Sequence, residues 1–136
     1  MATETLSVVG GIIGNVWLEH IPDPPARQSL GGDWNGVQVP GTTKPFDQLT
    51  REFSPDPAMK SKRAMLYVET ADNIIPSMFL NGRLMNRDFA GTHCFVDITP
   101  YLRRDKPNTL SLNIMYPQHP TVVKTVEIRY YQPDAF

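Results

Sequence analysis

Apolar and polar residues alternate most regularly in the C-terminal half of the chain. From Asn108 to Tyr116, Leu110, Leu112, Ile114 and Tyr116 fall on one side, and Thr109, Ser111 and Asn113 on the other. That period of two predicts a half-buried strand. Thr121 to Tyr131 alternates in the same way, with Val122, Val126, Ile128 and Tyr130 opposed to Val123, Thr125, Glu127 and Arg129. Shorter runs rich in β-branched and aromatic residues lie at Ala64–Glu69, Ile74–Leu80 and His93–Ile98. With Ile12–Leu18 and Val37–Val39 they make a set of about seven or eight strands. Asn81-Gly82, between Met78-Phe79-Leu80 and Arg83-Leu84-Met85, predicts a two-residue hairpin, because both residues accept positive φ. Thr99-Pro100 predicts a single helical turn, with Thr99 as N-cap and Pro100 as its first residue. No window holds a 3.6-residue apolar period. Glu19–Gly36 and Gly41–Arg63 read as long irregular stretches, a length at which loops usually serve function or contact. The expectation is an all-β protein, an antiparallel β-sandwich with two long irregular loops, spanning residues 1–136 as one domain.

Composition narrows the function more than the fold. The 136 residues carry 13 Lys and Arg against 14 Asp and Glu, a net charge of −1. Phosphate binding needs a surplus of clustered cations, so nucleic acid is not an expected partner. No apolar run reaches the roughly 18 residues of a membrane helix. Cys94 is the only cysteine, so the fold rests on its apolar core rather than on an internal disulfide. The early apolar stretch Leu6–Leu18 is broken by Gly10, Gly11, Gly14 and Asn15 and lacks a charged leader, which does not read as a secretory signal. The expected location is therefore the cytoplasm, or a virion after assembly, with an extracellular location only for a piece of a secreted protein.

Candidate chemistry is sparse. His20, His93 and His119 are far apart, and none has a second ligand at zinc spacing, so no metal or cofactor is expected. His93 and Cys94 are adjacent on a strand and point to opposite faces, which leaves Cys94 as a small core residue. Gly31-Gly-Asp-Trp-Asn-Gly36 is glycine-rich without the Lys-Ser/Thr of a phosphate loop. The carboxylates favour turn contexts such as Asp97-Ile-Thr, where hydrogen bonding to the backbone accounts for them. No catalytic residues are assigned, and an enzyme is not expected. Two basic groups, Lys60/Lys62/Arg63 and Arg103/Arg104/Lys106, read as solvated loop charge, with contact to an acidic partner as the alternative.

Aromatic residues are the best binding candidates. Trp17 sits in an apolar strand and reads as core. Phe46, Phe53 and Phe89 lie in or beside long loops, and Tyr130-Tyr131 alternate faces, so Phe46, Phe53, Phe89 and Tyr131 form a candidate protein interface. Trp34, Arg87, Asp88 and Tyr131 form a candidate carbohydrate contact, rings stacking on a sugar and polar groups bonding its hydroxyls.

Phe79-Leu80-Asn81-Gly82, then Asp97-Ile98-Thr99 with Leu102, then Asn108-Thr109-Leu110 resemble three motifs of the sugar-binding jelly-roll domain of family 2 glycoside hydrolases: an LNG hairpin, a D-[IV]-T-x-x-L turn and an N-x-L strand. Upstream, Trp34 with Val37-Gln38-Val39-Pro40-Gly41 is similar to the W-x-x-[IV]-x-V-P-G segment of that domain. The resemblance runs from roughly Leu30 to Ile114 and implies a galactose-binding-like β-sandwich. It departs at Met85–Gly91, where the family's G-x-H-x-G-G-type loop is missing, and no Tyr-rich strand precedes the long loop. No catalytic barrel is contained in the 136 residues. Two functions follow. The first is a non-catalytic structural subunit with protein partners in a homo- or hetero-oligomeric assembly, such as a phage decoration, cement or adaptor protein. The second is a carbohydrate-binding module, which the resemblance implies.

Overall fold

A computed structural model describes residues 21–44, 46–71, 74–86, 91–114 and 121–135. Within them run strands β1 (Ala26–Ser29), β2 (Gly32–Trp34), β3 (Val37–Val39), β4 (Gly41–Thr42), β5 (Gln48–Phe53), β6 (Arg63–Thr70), β7 (Ser77–Leu80), β8 (Arg83–Leu84), β9 (His93–Asp97), β10 (Asn108–Asn113) and β11 (Val122–Tyr131). Single 3₁₀ turns occupy Pro57–Met59 and Thr99–Tyr101. One sheet has the order β1-β11-β6-β9, with β4 also on β11, and the other the order β5-β10-β7-β8; β2 and β3 form a separate ribbon. All pairings are antiparallel. Leu66, Val68, Val96, Ile128 and Tyr130 of the first sheet meet Leu49, Met78, Leu80, Leu110 and Leu112 of the second in one buried cluster. The molecule is the expected antiparallel β-sandwich.

β1 and β4 share one lane beside β11. Ala26–Ser29 pair with Tyr130–Glu127, the Leu30 amide donates to the Val126 carbonyl, and Gly41–Thr42 then pair with Val123–Val122. The β2–β3 ribbon is an excursion from this lane. Its return passes a cis Val39–Pro40 bond to Gly41, where a Cβ would collide with the Gln38 carbonyl oxygen. Only glycine fits so close an approach.

The two stretches read as irregular loops need correction, since they contain β1, β2, β4, β5 and a 3₁₀ turn. β1 (Ala-Arg-Gln-Ser) and β5 (Gln-Leu-Thr-Arg-Glu-Phe) are edge strands. Edges tolerate polar residues, so their hydrophobic alternation is weak. The phase of β11 also differs from the sequence reading. A register shift between Val123 and Thr125 turns Val123 into the core with Val126, Ile128 and Tyr130, while Val122 is only half-buried. An extra residue in one strand re-aims the side chains before it. Ile74–Leu80 begins its strand at Ser77, since Pro76 has no amide to give a ladder. The strand expected at Ile12–Leu18, with Trp17, lies outside the described residues, as do Tyr116, His20 and His119.

The turn motifs are tied to one another by side chains. Asn81 and Gly82 have φ of 51° and 83°, as the hairpin requires. The Asn81 carboxamide then reaches β10: its Oδ1 accepts from the Thr109 amide at 2.9 Å, and its Nδ2 donates to Asn108 Oδ1 at 3.0 Å. Asn108 is fully buried. Its Oδ1 also accepts from the Arg103 amide at 2.9 Å, and its Nδ2 donates to the Arg103 and Lys106 carbonyls at 2.9 and 3.3 Å. Thr99 departs from its expected capping role. Its hydroxyl accepts from the Ala64 amide at 2.8 Å and lies 3.2 Å from the Ala64 carbonyl, while Asp97 Oδ1 accepts from the Thr99 amide at 2.9 Å. The motif threonine thus pins the turn to β6.

Replacing Asn108 with Ala would remove four part-buried hydrogen bonds to Asn81 and the Arg103–Lys106 loop and empty a buried site. Asn108→Ala is expected to cost about 3 kcal/mol, given 1–3 kcal/mol for each buried group left unsatisfied. Urea unfolding measures it, and a loss below about 1 kcal/mol would show the network to be dispensable.

Candidate functional site

The ribbon owes its shape to Asn35-Gly36, whose φ values of 56° and 96° suit a primed hairpin turn. Asp33 Oδ1 accepts from the Gly36 amide at 3.0 Å and closes the turn locally. Trp34 points the opposite way and is completely buried, its indole N–H donating to the Leu30 carbonyl at 2.7 Å. Ring burial clamps the ribbon to the sandwich and leaves its outer residues facing β5. Arg51, between the inward Leu49 and Phe53 on β5, extends its guanidinium to the Gly31 carbonyl.

Between ribbon and strand opens a cleft of about 620 Å³, lined by Gly31–Asp33, Asn35 and Thr50–Glu52. That volume falls in the range of small-molecule sites. Its walls offer the Arg51 guanidinium, the Asp33 and Glu52 carboxylates, the Asn35 carboxamide and the Thr50 hydroxyl, which lies 3.4 Å from Ser111 Oγ. Donors and acceptors so interleaved match a ligand whose surface alternates hydroxyl donors and acceptors. Asp33 and Glu52 are both exposed. A carboxylic acid poised to protonate a leaving group is ordinarily buried among apolar groups, so the arrangement suits holding a polyhydroxylated ligand better than cleaving one. Among the described residues, no group of three His, Cys, Asp or Glu side chains could hold a metal ion.

Of the residues singled out in the sequence, Phe46 is exposed at 64%, in a left-handed conformation with φ 63°. Phe53 is corrected to the core: it is 7% exposed, because the strand it ends carries it inward beside Leu49. Trp34 is likewise corrected, having no ring face left for a sugar. Tyr131 is 2% exposed, packs edge-on against Phe95 at 5.9 Å and donates to the Pro22 carbonyl at 2.8 Å, so it offers no open face either. Arg87, Asp88 and Phe89 lie outside the described residues. His93 and Cys94 take opposite faces, His93 exposed and Cys94 buried. Thr50, Arg51 and Glu52 were not singled out. An Asn-Gly pair after Asp33-Trp34, the same signal read at Asn81-Gly82, points to the ribbon that makes them a wall.

The outer face of the first sheet is packed rather than bare. Met65, Phe95 and Tyr131 form a second buried cluster, with Ile21, Tyr67 and Ala135 against it. Arg129 lies 3.7 Å over the Tyr67 ring, and its Nε donates to Glu127 at 2.6 Å. Burial opposes the Arg129 charge, but the Glu127 carboxylate more than offsets this and holds its pKa above the usual guanidinium value. Burial raises the pKa of Tyr67, helped by the negative charge of Glu69 and opposed by Arg129. Burial also raises Tyr131, against the pull of Arg129, and Tyr130, against the Asp56 amide and the charge of Arg104.

No protein-family profile matches the sequence, and comparison with curated proteins finds no match. The fold does have solved counterparts. A β-D-glucuronidase from Dictyoglomus thermophilum superposes with a TM-score of 0.60 over 83% of this chain and 29% of its own, at 12% identity. A Bacteroides uniformis β-glucuronidase gives a TM-score of 0.62 over 84% and 18%, at 18% identity. A Ruminococcus gnavus β-glucuronidase gives 0.63 over 85% and 30%, at 13% identity. At such identities the likeness establishes a shared β-sandwich fold, and this chain corresponds to less than a third of each of these enzymes.

The buried Tyr130 and Tyr131 and the half-buried Tyr67 predict alkaline behaviour. Each of Tyr67, Tyr130 and Tyr131 has its folded pKa raised above the ordinary 10.0, so the unfolded chain loses these protons first. Their contribution to stability is complete below about pH 10 and falls as pH rises through the folded values. Thermal unfolding followed from pH 8 to 11 should show a midpoint that drops only above about pH 10, and more shallowly in Tyr130→Phe. A flat profile would contradict burial of the phenols.

Proposed function

We propose that this chain is a carbohydrate-binding β-sandwich domain, of the galactose-binding-like jelly-roll type that accompanies glycoside hydrolase catalytic domains, and that it does not itself catalyse. The observation that carries the reading is a cleft fitted to hydroxyl groups, on a fold shared with a segment of β-glucuronidases. The motifs similar to the family 2 sugar-binding domain support the fold type within this reading, because Asn81, Asp97, Thr99 and Asn108 make the structural bonds described above. Arg51 and Glu52 bind hydroxyls on one side of the cleft, and Asp33 with Asn35 does so on the other. Affinity comes from pre-set polar groups rather than an aromatic platform, since Trp34 is spent on holding the ribbon.

A second reading, a subunit of a protein assembly, draws on Phe46, a bulky residue exposed in a left-handed turn. Nothing in the fold or the similarities points to a virion in particular.

The two are separable. Titration against a panel of neutral oligosaccharides should give saturable binding to at least one, weakened about tenfold by Glu52→Gln with an unchanged melting temperature. Absence of binding across galactose-, glucose-, mannose- and xylose-based oligomers would sink the carbohydrate reading. Phe46→Ser should leave sugar binding intact, and light scattering should show the same mass for both proteins. A wild-type oligomer that dissociates on this change would favour the assembly instead.

A further inference from the structure

The two basic groups of the sequence meet in the fold. Lys60 and Lys62 follow the 3₁₀ turn Pro57–Met59, and Arg103, Arg104 and Lys106 lie on the loop that Asn108 ties down. Arg104 bridges them, its Nη1 donating to the Met59 carbonyl at 3.2 Å and its Nη2 to the Lys62 carbonyl at 2.7 Å. Between the two loops is a second cleft of about 380 Å³, with Lys60, Arg104 and Lys106 on its walls against the single carboxylate of Asp105, and with Pro57 and Pro107 supplying apolar surface.

Positive charge here exceeds the nearby carboxylates, Asp105 on the wall and Asp56 between Pro55 and Pro57. Arg63, Lys124 and Arg129 each have a carboxylate partner within 4 Å, whereas among the described residues Lys60, Arg104 and Lys106 have none. In a chain of net charge −1, this corner holds a local excess of positive charge. Arg104 is also held in place before any ligand arrives. Two of its five N–H groups are committed to backbone carbonyls, which fixes the plane in which the others point. A guanidinium so ordered binds an anionic oxygen without a further entropic cost of its own.

We propose that this cleft binds the anionic group, carboxylate or sulfate, of an acidic saccharide, a step that rests on the carbohydrate reading of the first cleft. Concave form and modest volume fit a sugar-sized group better than the broad, flatter surface of a protein interface. The position agrees. Glu52 lines the first cleft and Ser54 the second, and two positions of extended chain separate these residues by about 7 Å. A saccharide lying along this edge presents hydroxyls to the first cleft and its acidic group to the second.

The test compares the full chain with four probes by calorimetric titration: galactotetraose, tetragalacturonic acid, a sulfated galactose tetrasaccharide and a decameric glutamate peptide. At least one acidic saccharide should bind about tenfold tighter than galactotetraose at low salt, and most of that advantage should vanish near 0.3 M salt. Lys60→Gln with Lys106→Gln, which leaves the Arg104 bonds untouched, should abolish the advantage and keep neutral binding unchanged. Carboxylated against sulfated probes identifies which anion the cleft takes. Neutral binding with no acidic preference would overturn this proposal alone, whereas failure of every saccharide would overturn it together with the carbohydrate reading. Equal or tighter binding of the glutamate peptide would also overturn it, and assign the cleft to an acidic protein segment.

Discussion

A single buried carboxamide, that of Asn108, holds the architecture in register. It stands at the first position of β10, an inner strand of the second sheet, and offers two donors and two acceptor sites. All are used: the Arg103 amide and carbonyl, the Lys106 carbonyl and the Asn81 carboxamide. One side chain therefore fixes where the Arg103–Lys106 loop turns and where the β7–β8 hairpin meets β10. A buried polar group is costly unless every bond is made, so the arrangement tolerates little variation. The second cleft inherits its shape from this knot, because Arg104 is carried by the loop that Asn108 clasps.

In the first sheet, where β9 ends beside β6, Asp97 and Thr99 repeat the principle. The Asp97 carboxylate accepts from the Thr99 amide and pairs with Arg63, while the Thr99 hydroxyl takes the place of a strand neighbour for Ala64. Asn86 does the same beyond β8, accepting from the Met78 amide at 2.9 Å and donating to the Pro76 carbonyl at 3.0 Å. Short polar side chains thus finish ladders where the backbone leaves them. This explains why motifs made of Asn, Asp and Thr mark the fold more firmly than they mark a ligand.

β10 was legible because it alternates strictly, and β6 and β9 because each is an apolar run buried on both faces of its sheet. The polar edge strands were not. β1 and β5 bury few apolar residues, and their pairing is decided by a partner distant in sequence. β11 was legible in extent but not in phase, since a bulge leaves no trace in a window count. The first cleft failed to show for a related reason. Arg51 occupies an inward register position that looks like an interruption of Leu49 and Phe53, and only the ribbon folded across it makes it a wall. Trp34 misled because a ring between glycines resembles a loop tip, whereas its indole bond to Leu30 turns it inside. Tyr131 misled because only the outer-face partners of the sheet, absent from any local pattern, close over it.

The shared lane of β1 and β4 has a consequence for how such a molecule can change. Both ends of the ribbon are stitched to β11, on either side of its bulge, so the sheet holds the ribbon's roots and the Asn35-Gly36 tip bears none of that load. Residues inserted at the tip would extend one rim of the cleft without moving a core side chain. Selectivity for longer or branched ligands can therefore diversify by growth at a single hairpin, while the sandwich beneath it keeps the same register.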